Sequence, residues 1–183
     1  MLVAAALLGG CATAYVQGAT AYRQGRYDEA ASRFAAVLAE EPDRLDALVG
    51  LGLARYQLGA WDDAVDVLER AVAQAPGHAM ARLYLGLAHL QRGEEGRADE
   101  HLTAFRTLQL DPRTAAQVDR TLRLLRDAPL TADLRAFVAA GLEDAAEWRR
   151  ELQETRRALR DEQWRRLTDD RFIYVVPRSR CRC

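Results

Sequence analysis

Apolar side chains recur at helical spacing along most of the chain, and short breaks divide them into paired segments. Gly59 ends one such segment, because glycine enters the left-handed cap conformation without steric cost. Pro76-Gly77 ends the next segment, which begins at Trp61. The apolar positions on one face of that second segment are Ala64, Val67, Leu68 and Ala71. The pattern predicts a helical hairpin over residues 45–76.

The hairpin pattern returns at a fixed interval of 34 residues. Residues 51–54 match residues 85–88, and Gly59 falls on Gly93 in one direction and on Gly25 in the other. Further pairs at this interval are Gly18 with Gly52, Tyr22 with Tyr56, Ala30 with Ala64, Ala64 with Ala98, and Pro42 with Pro76. The sequence therefore predicts three hairpins, at 12–42, 45–76 and 79–110. A hairpin of this kind cannot bury its apolar face alone, so the copies must stack on one another.

These repeats resemble the tetratricopeptide repeat (TPR) family over about residues 12–112. The matching positions are Gly52, Tyr56, Gly59, Trp61, Ala64, Leu68, Ala71 and Pro76 in the second copy, and Gly18, Tyr22, Gly25, Tyr27, Ala30, Phe34 and Pro42 in the first. The third copy departs from the pattern, because Glu95 replaces the aromatic residue after the turn and Pro112 comes two residues late. The resemblance implies an all-α fold, a right-handed α-solenoid that serves as a binding scaffold.

The resemblance also implies that the first helix of each hairpin lines a concave face. Residues at i, i+4 and i+7 on these helices lie on one stripe, which we call the concave stripe. Its residues are Tyr15, Ala19, Tyr22, Val49, Leu53, Tyr56, Leu83, Leu87 and Leu90. An apolar and aromatic groove suits an amphipathic helix or an apolar extended peptide. In the alternative interpretation, which we weigh equally, the chain fills this groove itself.

One mode of peptide binding is excluded by composition. TPR proteins that hold the C-termini of chaperones place Lys and Asn in the groove to bind a carboxylate, and this chain contains neither residue type. All 26 of its basic residues are arginines, and the net charge of −1 gives no reason to expect nucleic acid as a partner.

Residues 1–10 have the pattern of a bacterial signal peptide. The apolar run from Leu2 to Leu8 is too short to span a bilayer, and it ends in Leu8-Gly9-Gly10-Cys11, which resembles a lipobox. No basic residue precedes the run, so a plain apolar extension of the first helix, with Cys11 buried, remains the alternative. Ala12 follows the cysteine instead of Asp. By the sorting rule of lipoproteins this resembles a protein anchored to the periplasmic face of the outer membrane.

The region 113–170 is predicted to contain two further helices. The first spans about 114–126 and caps the last repeat, with Asp111 as the acceptor at its start. The second runs from about 132 to 167 behind a Thr131 cap, and its second half is mostly charged. A thin apolar seam on it consists of Val138, Ala145, Leu152 and Leu159. We expect this helix to dock on the repeats with a partly free end, while weak self-association through the seam is a second possibility.

The remaining positions indicate no reaction chemistry. The three histidines, His78, His89 and His101, follow no metal-binding motif and are interpreted as surface or packing residues. Cys181 and Cys183 supply two thiols, too few for a zinc site, and the tail 171–183 is predicted to lie along the solenoid or to be disordered. No nucleophile motif or phosphate loop is present. We therefore expect no catalytic residues, no metal and no cofactor.

The sequence thus predicts a non-enzymatic TPR lipoprotein, lipidated at Cys11, which holds an apolar peptide or helix during cell-envelope assembly. In its combination of repeats and lipobox, the chain resembles the TPR lipoproteins that help to assemble pilus secretins, outer-membrane proteins or cell-wall machinery. Two alternatives remain: a soluble cytoplasmic TPR adaptor, and a self-associating structural protein.

Overall fold

The computed structural model describes residues 4–108, 110–127 and 129–169; the side chains of 4–12 and of several residues between 148 and 169 lie outside the description. Over this part of the chain the helices are α1 (Ala4–Arg23), α2 (Tyr27–Glu40), α3 (Leu45–Gln57), α4 (Trp61–Gln74), α5 (Ala79–Gln91), α6 (Glu95–Thr107), α7 (Pro112–Asp127) and α8 (Ala132–Asp169). Every regular element among the described residues is a helix, which confirms the predicted all-α fold.

The helices from α1 to α7 form a stack of hairpins. Each of these helices packs on the next one in the chain, and α3 also contacts α1 and α5. The first helices of successive hairpins therefore lie side by side, as in a solenoid. The three predicted hairpins are confirmed as α1–α2, α3–α4 and α5–α6, which we call hairpins 1, 2 and 3.

The three turns inside the hairpins share one backbone conformation. Gly25, Gly59 and Gly93 have φ of 72°, 75° and 78°, the left-handed region that side chains disfavour. After Gly59, the amide of Ala60 donates to the carbonyl of Arg55 at 3.0 Å, which closes the end of α3. The glycines predicted to end the first helices therefore do so in all three copies.

Side-chain caps begin the two C-terminal helices. Asp111 Oδ1 accepts hydrogen bonds from the amides of Arg113 and Thr114, both at 3.1 Å. Thr131 Oγ1 accepts from the amide of Leu134 at 3.3 Å. Both predicted caps are confirmed, and each satisfies amide groups that have no partner within the helix.

Glu95, the residue at which the third copy departs from the family pattern, has a structural role. Its Oε1 accepts from the amide of Leu130 at 2.7 Å, in the segment between α7 and α8. The carboxylate that stands at the aromatic position of the other copies therefore holds the backbone that leads into α8.

The N-terminal helix is longer than the sequence analysis expects. α1 begins at Ala4, eight residues before the predicted start of the first hairpin at residue 12, because the alanine- and leucine-rich segment has high intrinsic helix propensity. The backbone around Cys11 is thus helical, while its side chain lies outside the described part. Of the helices in that part, none is long and apolar enough to cross a membrane.

The chain divides into two compact units, Met1–Leu142 and Glu143–Cys183, and the boundary falls within α8. In the first unit, α8 carries the buried residues Val138, Ala139 and Leu142. In the second unit Ala145 is buried, whereas Leu159 and Trp164 are exposed. The predicted seam is therefore not a continuous free surface, since Val138 and Ala145 are buried. Leu152 and the tail with Cys181 and Cys183 lie outside the described side chains.

Candidate functional site

The concave stripe is exposed to very different extents on its three helices. On α1, Tyr15, Ala19 and Tyr22 are half-buried. On α3 the stripe is nearly closed, with exposed fractions of 8% for Val49, 7% for Leu53 and 5% for Tyr56. On α5, Leu83, Leu87 and Leu90 are 0% exposed. The surface that the stripe offers to a partner thus lies mainly on hairpin 1, with the α3 residues as its floor.

The burial of the α5 residues favours, for this part of the stripe, the alternative in which the chain fills the groove itself. The assignment of all nine stripe positions to a binding groove stays a prediction. A Cβ added to Gly93, just after α5, would lie 3.2 Å from Nη1 of Arg135 in the first turn of α8. A Cβ added to Gly141 would lie 2.8 Å from Nε2 of Gln117 on α7. The start of α8 thus packs beside the end of hairpin 3 and against α7. In this conformation the α5 part of the stripe belongs to the core.

Aromatic contacts fix the rings of the accessible part. The rings of Tyr15 and Phe34 are 5.6 Å apart between centroids, and those of Tyr22 and Tyr27 are 5.3 Å apart. Both pairs join α1 to α2 in tilted arrangements, which favour the contact of a ring edge with a ring face. A partner would therefore meet preformed aromatic surfaces instead of mobile rings.

A polar edge borders the stripe where hairpin 1 meets hairpin 2. The Arg44 guanidinium lies 4.9 Å from the centre of the Tyr15 ring, and Nε of Arg44 donates to Asp46 at 2.9 Å. Burial raises the pKa of the Tyr15 hydroxyl, and the Asp46 carboxylate adds to this effect. Tyr15 therefore stays protonated around neutral pH and can donate a hydrogen bond at the rim of the groove.

A second, polar site lies between hairpins 2 and 3. It is a cavity of about 340 Å³ lined by Val65, Asp66, Glu69, His89, Arg92, Glu94 and Arg97. Arg92 pairs with Asp62 at 3.1 Å and with Glu94 at 2.8 Å, and Arg97 pairs with Glu69 at 3.4 Å. These ion pairs connect α4 to the turn and to the second helix of hairpin 3.

His89, which lines this cavity, stacks on His101, a contact that the sequence pattern did not predict. The rings of His89 and His101 are stacked, with 5.3 Å between their centroids and an angle of 8° between their planes. His89 is 1% exposed, and its Nδ1 lies 2.6 Å from Oε2 of Glu94. The 34-residue interval contains the signal that could have found them, because Arg55 and Val67 stand at the corresponding positions of hairpin 2.

The surroundings of His101 disfavour its charged form. Nη1 of Arg82 donates to Nδ1 of His101 at 3.1 Å. Burial is the main cause that lowers the pKa of His101, and the nearby His89 and Arg82 lower it further, to about 4. The hydrogen bond with His89 lowers the pKa of Glu94, so that carboxylate is ionised at neutral pH. The third histidine, His78, caps α5, because its Nδ1 accepts from the amide of Ala81 at 3.2 Å.

The described residues contain no cluster of His, Cys, Asp and Glu side chains that could hold a metal ion. The candidate site for an apolar ligand is the concave stripe, and the polar cavity between hairpins 2 and 3 is a separate feature.

Comparison with known proteins gives a family and a fold. A tetratricopeptide repeat family model matches residues 15–79 and 59–112. Comparison with curated protein sequences gives no significant match.

Solved structures resemble the fold at low sequence identity. The Yersinia enterocolitica type III secretion translocator chaperone SycD is 19% identical, with a TM-score of 0.58 over 62% of this chain and 81% of that one. PcrH in complex with the chaperone binding region of PopD is 22% identical, with a TM-score of 0.57 over 62% and 88%. A mutant of the Thermobaculum terrenum O-GlcNAc transferase is 25% identical, with a TM-score of 0.58 over 72% of this chain but only 25% of the enzyme.

Proposed function

We propose that this chain, which belongs to the tetratricopeptide repeat family, is a non-enzymatic scaffold that holds an apolar segment of a partner protein in its concave stripe. The observation that carries the proposal is the half-exposed apolar surface of Tyr15, Ala19 and Tyr22, which continues onto the nearly closed α3 stripe. An apolar groove with preformed aromatic rings binds a helix or an extended peptide through shape and burial instead of charge.

Two structural neighbours support a peptide as the ligand. SycD is a translocator chaperone, and PcrH was solved with the chaperone binding region of PopD. The likeness of both proteins to this chain concerns the fold. The similarity to the transferase covers only a quarter of the length of that enzyme. We therefore do not propose its activity for this chain.

The proposed place of action is the periplasmic face of the outer membrane, with a lipid on Cys11. The lipobox-like segment before Cys11 supports this, and Ala12 is compatible with sorting to the outer membrane. Acyl chains contribute roughly 0.8 kcal/mol of membrane affinity per buried CH₂, so two or three chains would hold the protein at the bilayer. The role we propose there is assistance to the assembly of a pilus secretin, an outer-membrane protein or cell-wall machinery.

The stripe is tested by crosslinking in the native envelope, followed by identification of the captured protein. Ala19→Arg places a charge on the accessible stripe, while Gln17→Arg places one on the same helix at an exposed position outside the stripe. We expect Ala19→Arg to lose the captured partner and Gln17→Arg to keep it, with both variants melting within a few degrees of the wild type. Equal capture by the two folded variants would show that the stripe is not the binding surface.

The anchor is tested by fractionation of Cys11→Ser beside Cys181→Ser. We expect the first variant to leave the membrane fraction and the second to stay there. If wild type and Cys11→Ser are both soluble, the alternative of a soluble cytoplasmic TPR adaptor replaces the lipoprotein. If both stay on the membrane, the protein is held there by contacts other than a lipid on Cys11.

A second candidate function is self-association through α8. It is supported by the exposed Leu159 and Trp164. Sedimentation over a wide concentration range tests it, and a constant monomer mass would exclude it.

A further inference from the structure

Hairpin 3 contains a buried pair of imidazoles that the other two hairpins lack. The chain has three histidines, and only His89 and His101 lie within helices. Shifted by the repeat interval, these two positions carry Arg55 and Val67 in hairpin 2. The pair is therefore an addition to one repeat and not part of the repeat pattern.

Hydrogen bonds indicate the protonation state of one ring. A guanidinium can only donate, so Nδ1 of His101, which faces Nη1 of Arg82 at 3.1 Å, must be the acceptor. His101 is therefore neutral, with its proton on Nε2. Arg82 is held in place independently, since its Nε donates to the carbonyl of Pro76 at 2.9 Å. A proton on Nδ1 of His101 would break the hydrogen bond and face a fixed cation.

The neighbouring ring of His89 further disfavours a positive charge on His101. His89 is fully buried and parallel to His101 at 5.3 Å, and its Nε2 is buried without a hydrogen-bond partner in the structure. Two imidazolium rings at this distance in a buried place would repel each other strongly, because the low dielectric of the interior screens little. The closed stack can hold at most one added proton.

The other charged groups around the pair do not remove this conflict. Those on the turn and on α6 are Arg92, Glu94, Arg97 and Glu100, and those on α4 are Asp66 and Glu69. Two of the carboxylates are already engaged, Glu94 by His89 and Arg92, and Glu69 by Arg97. On α7, Asp119 and Arg126 pair with Arg106 and Asp99 of α6. Glu100 favours the charged form of His101, but burial, His89 and the arginines outweigh it.

We propose that the His89–His101 stack is an acid-sensitive contact that keeps hairpin 3 closed, so that mild acidification opens hairpin 3 locally while hairpins 1 and 2 stay folded. Local opening is available to this fold because a repeat contacts mainly its neighbours, and stability is spread along the stack. Opening would release Leu83, Leu87 and Leu90, which are fully buried in the closed form. The accessible concave stripe would then extend from hairpin 1 to hairpin 3.

The opening itself does not depend on the proposed function. Only the assignment of the released surface to a partner rests on it. Hydrogen exchange reports on the opening and crosslinking reports on the partner, so failure of one proposal can be told from failure of the other.

The experiment is hydrogen exchange of the full chain at about pH 7.5 and about pH 5, with rates corrected for the intrinsic effect of pH. We expect the protection of α5 and α6 amides to fall about 10- to 30-fold at the lower pH, while that of α3 and α4 amides changes less than about threefold. Glu94 is still ionised at the lower pH, because its pKa is lowered, so the comparison isolates the histidines.

The matched variant is His101→Val, which introduces the residue that hairpin 2 carries at the same position. In this variant we expect hairpin 3 to keep its protection at the lower pH. Equal loss of protection in wild type and variant, or equal loss in hairpins 2 and 3, would overturn the proposal. A titration of the wild-type imidazole resonances gives a second test that needs no variant. An imidazole of His101 that takes up its proton above about pH 6 with the amides of hairpin 3 still protected would contradict the proposal as well.

Discussion

Gly52 on α3 lies in close contact with Leu68 on α4, so close that a Cβ added to Gly52 would sit 2.5 Å from Cγ of the leucine. The same relationship recurs 34 residues on, where a Cβ on Gly86 would lie 2.9 Å from Cγ of Leu102. One repeat earlier the pair is Gly18 and Phe34, with a corresponding distance of 3.1 Å to Cε1. The repeat seen in the sequence is thus a repeat of one contact, in which glycine lets the two helices of a hairpin approach.

The first prediction concerns this contact. Gly52→Ala should lower the free energy of unfolding by about 1–2 kcal/mol, because overpacking costs about 1–3 kcal/mol and better helix propensity returns at most about 1 kcal/mol. Urea denaturation measures the change. Gly96→Ala is the matched control, since Gly96 also lies in a helix but has nothing within 4 Å of an added Cβ. We expect Gly96→Ala to be as stable as the wild type or slightly more stable. An unchanged free energy of unfolding in Gly52→Ala would mean that α3 and α4 can move apart without cost.

The second prediction concerns the turns. Gly59 has φ of 75° and open space around it, so a substitution there is disfavoured by backbone conformation alone. Gly59→Ala should cost about 1 kcal/mol of unfolding free energy, and Gly59→Asn should cost less because asparagine tolerates the left-handed region. Thermal or urea denaturation of the two variants gives the comparison. The reverse order of stability would show that contacts of the side chain, not φ, decide the cost.

Local signals allowed the hairpins to be predicted from sequence. A glycine in a left-handed turn, as at Gly59, and a capping residue such as Asp111 or Thr131 act within a few residues of their own position. Their spacing therefore carries over directly into the structure. The fixed interval between the repeats also predicted that the hairpins stack, because a helical hairpin cannot bury its apolar face alone.

The features that the sequence did not predict depend on contacts between residues far apart in the chain, which no local pattern encodes. Glu95 looked like a departure from the family, but its partner is the amide of Leu130, 35 residues later. Leu83 and Val49 occupy equivalent positions of the pattern, yet Leu83 is 0% exposed whereas Val49 keeps an exposed fraction of 8%. His89 and His101 lie on two helices whose facing sides could be matched only once the packing was known.

The third prediction separates the core part of the concave stripe from its accessible part. Leu87→Arg should destabilise the protein by more than about 3 kcal/mol, because a charge would be buried at a position that is 0% exposed. Ala19→Arg should cost about 1 kcal/mol or less, since its side chain can reach water from a half-buried site. Urea denaturation of both variants checks this. A well-folded Leu87→Arg protein would mean that the α5 stripe opens readily at neutral pH.

The fourth prediction concerns stability against pH. The pKa of His101 is about 4 in the folded chain, below the ordinary value of 6.5, so the unfolded chain binds the proton more readily. Because the unfolded state then holds more protons, stability rises with pH across this window and falls as pH drops through it. The contribution is fully present above about pH 6.5, is lost progressively toward about pH 4 and changes no further below that. We expect the wild type to lose about 2 kcal/mol over the window, less than the full shift implies because solvent screens part of it.

Urea denaturation at a series of pH values, with His101→Val beside the wild type, measures this loss. The variant should show a nearly flat free energy of unfolding between about pH 6.5 and about pH 4.5, since valine has no proton to bind. Below that range both proteins should lose stability together, because Asp119, whose pKa is lowered first of all by its hydrogen bond with Arg106, becomes protonated in both. Parallel curves through the upper window would mean that another group carries the pH dependence, and the stacked pair would then be a packing contact only.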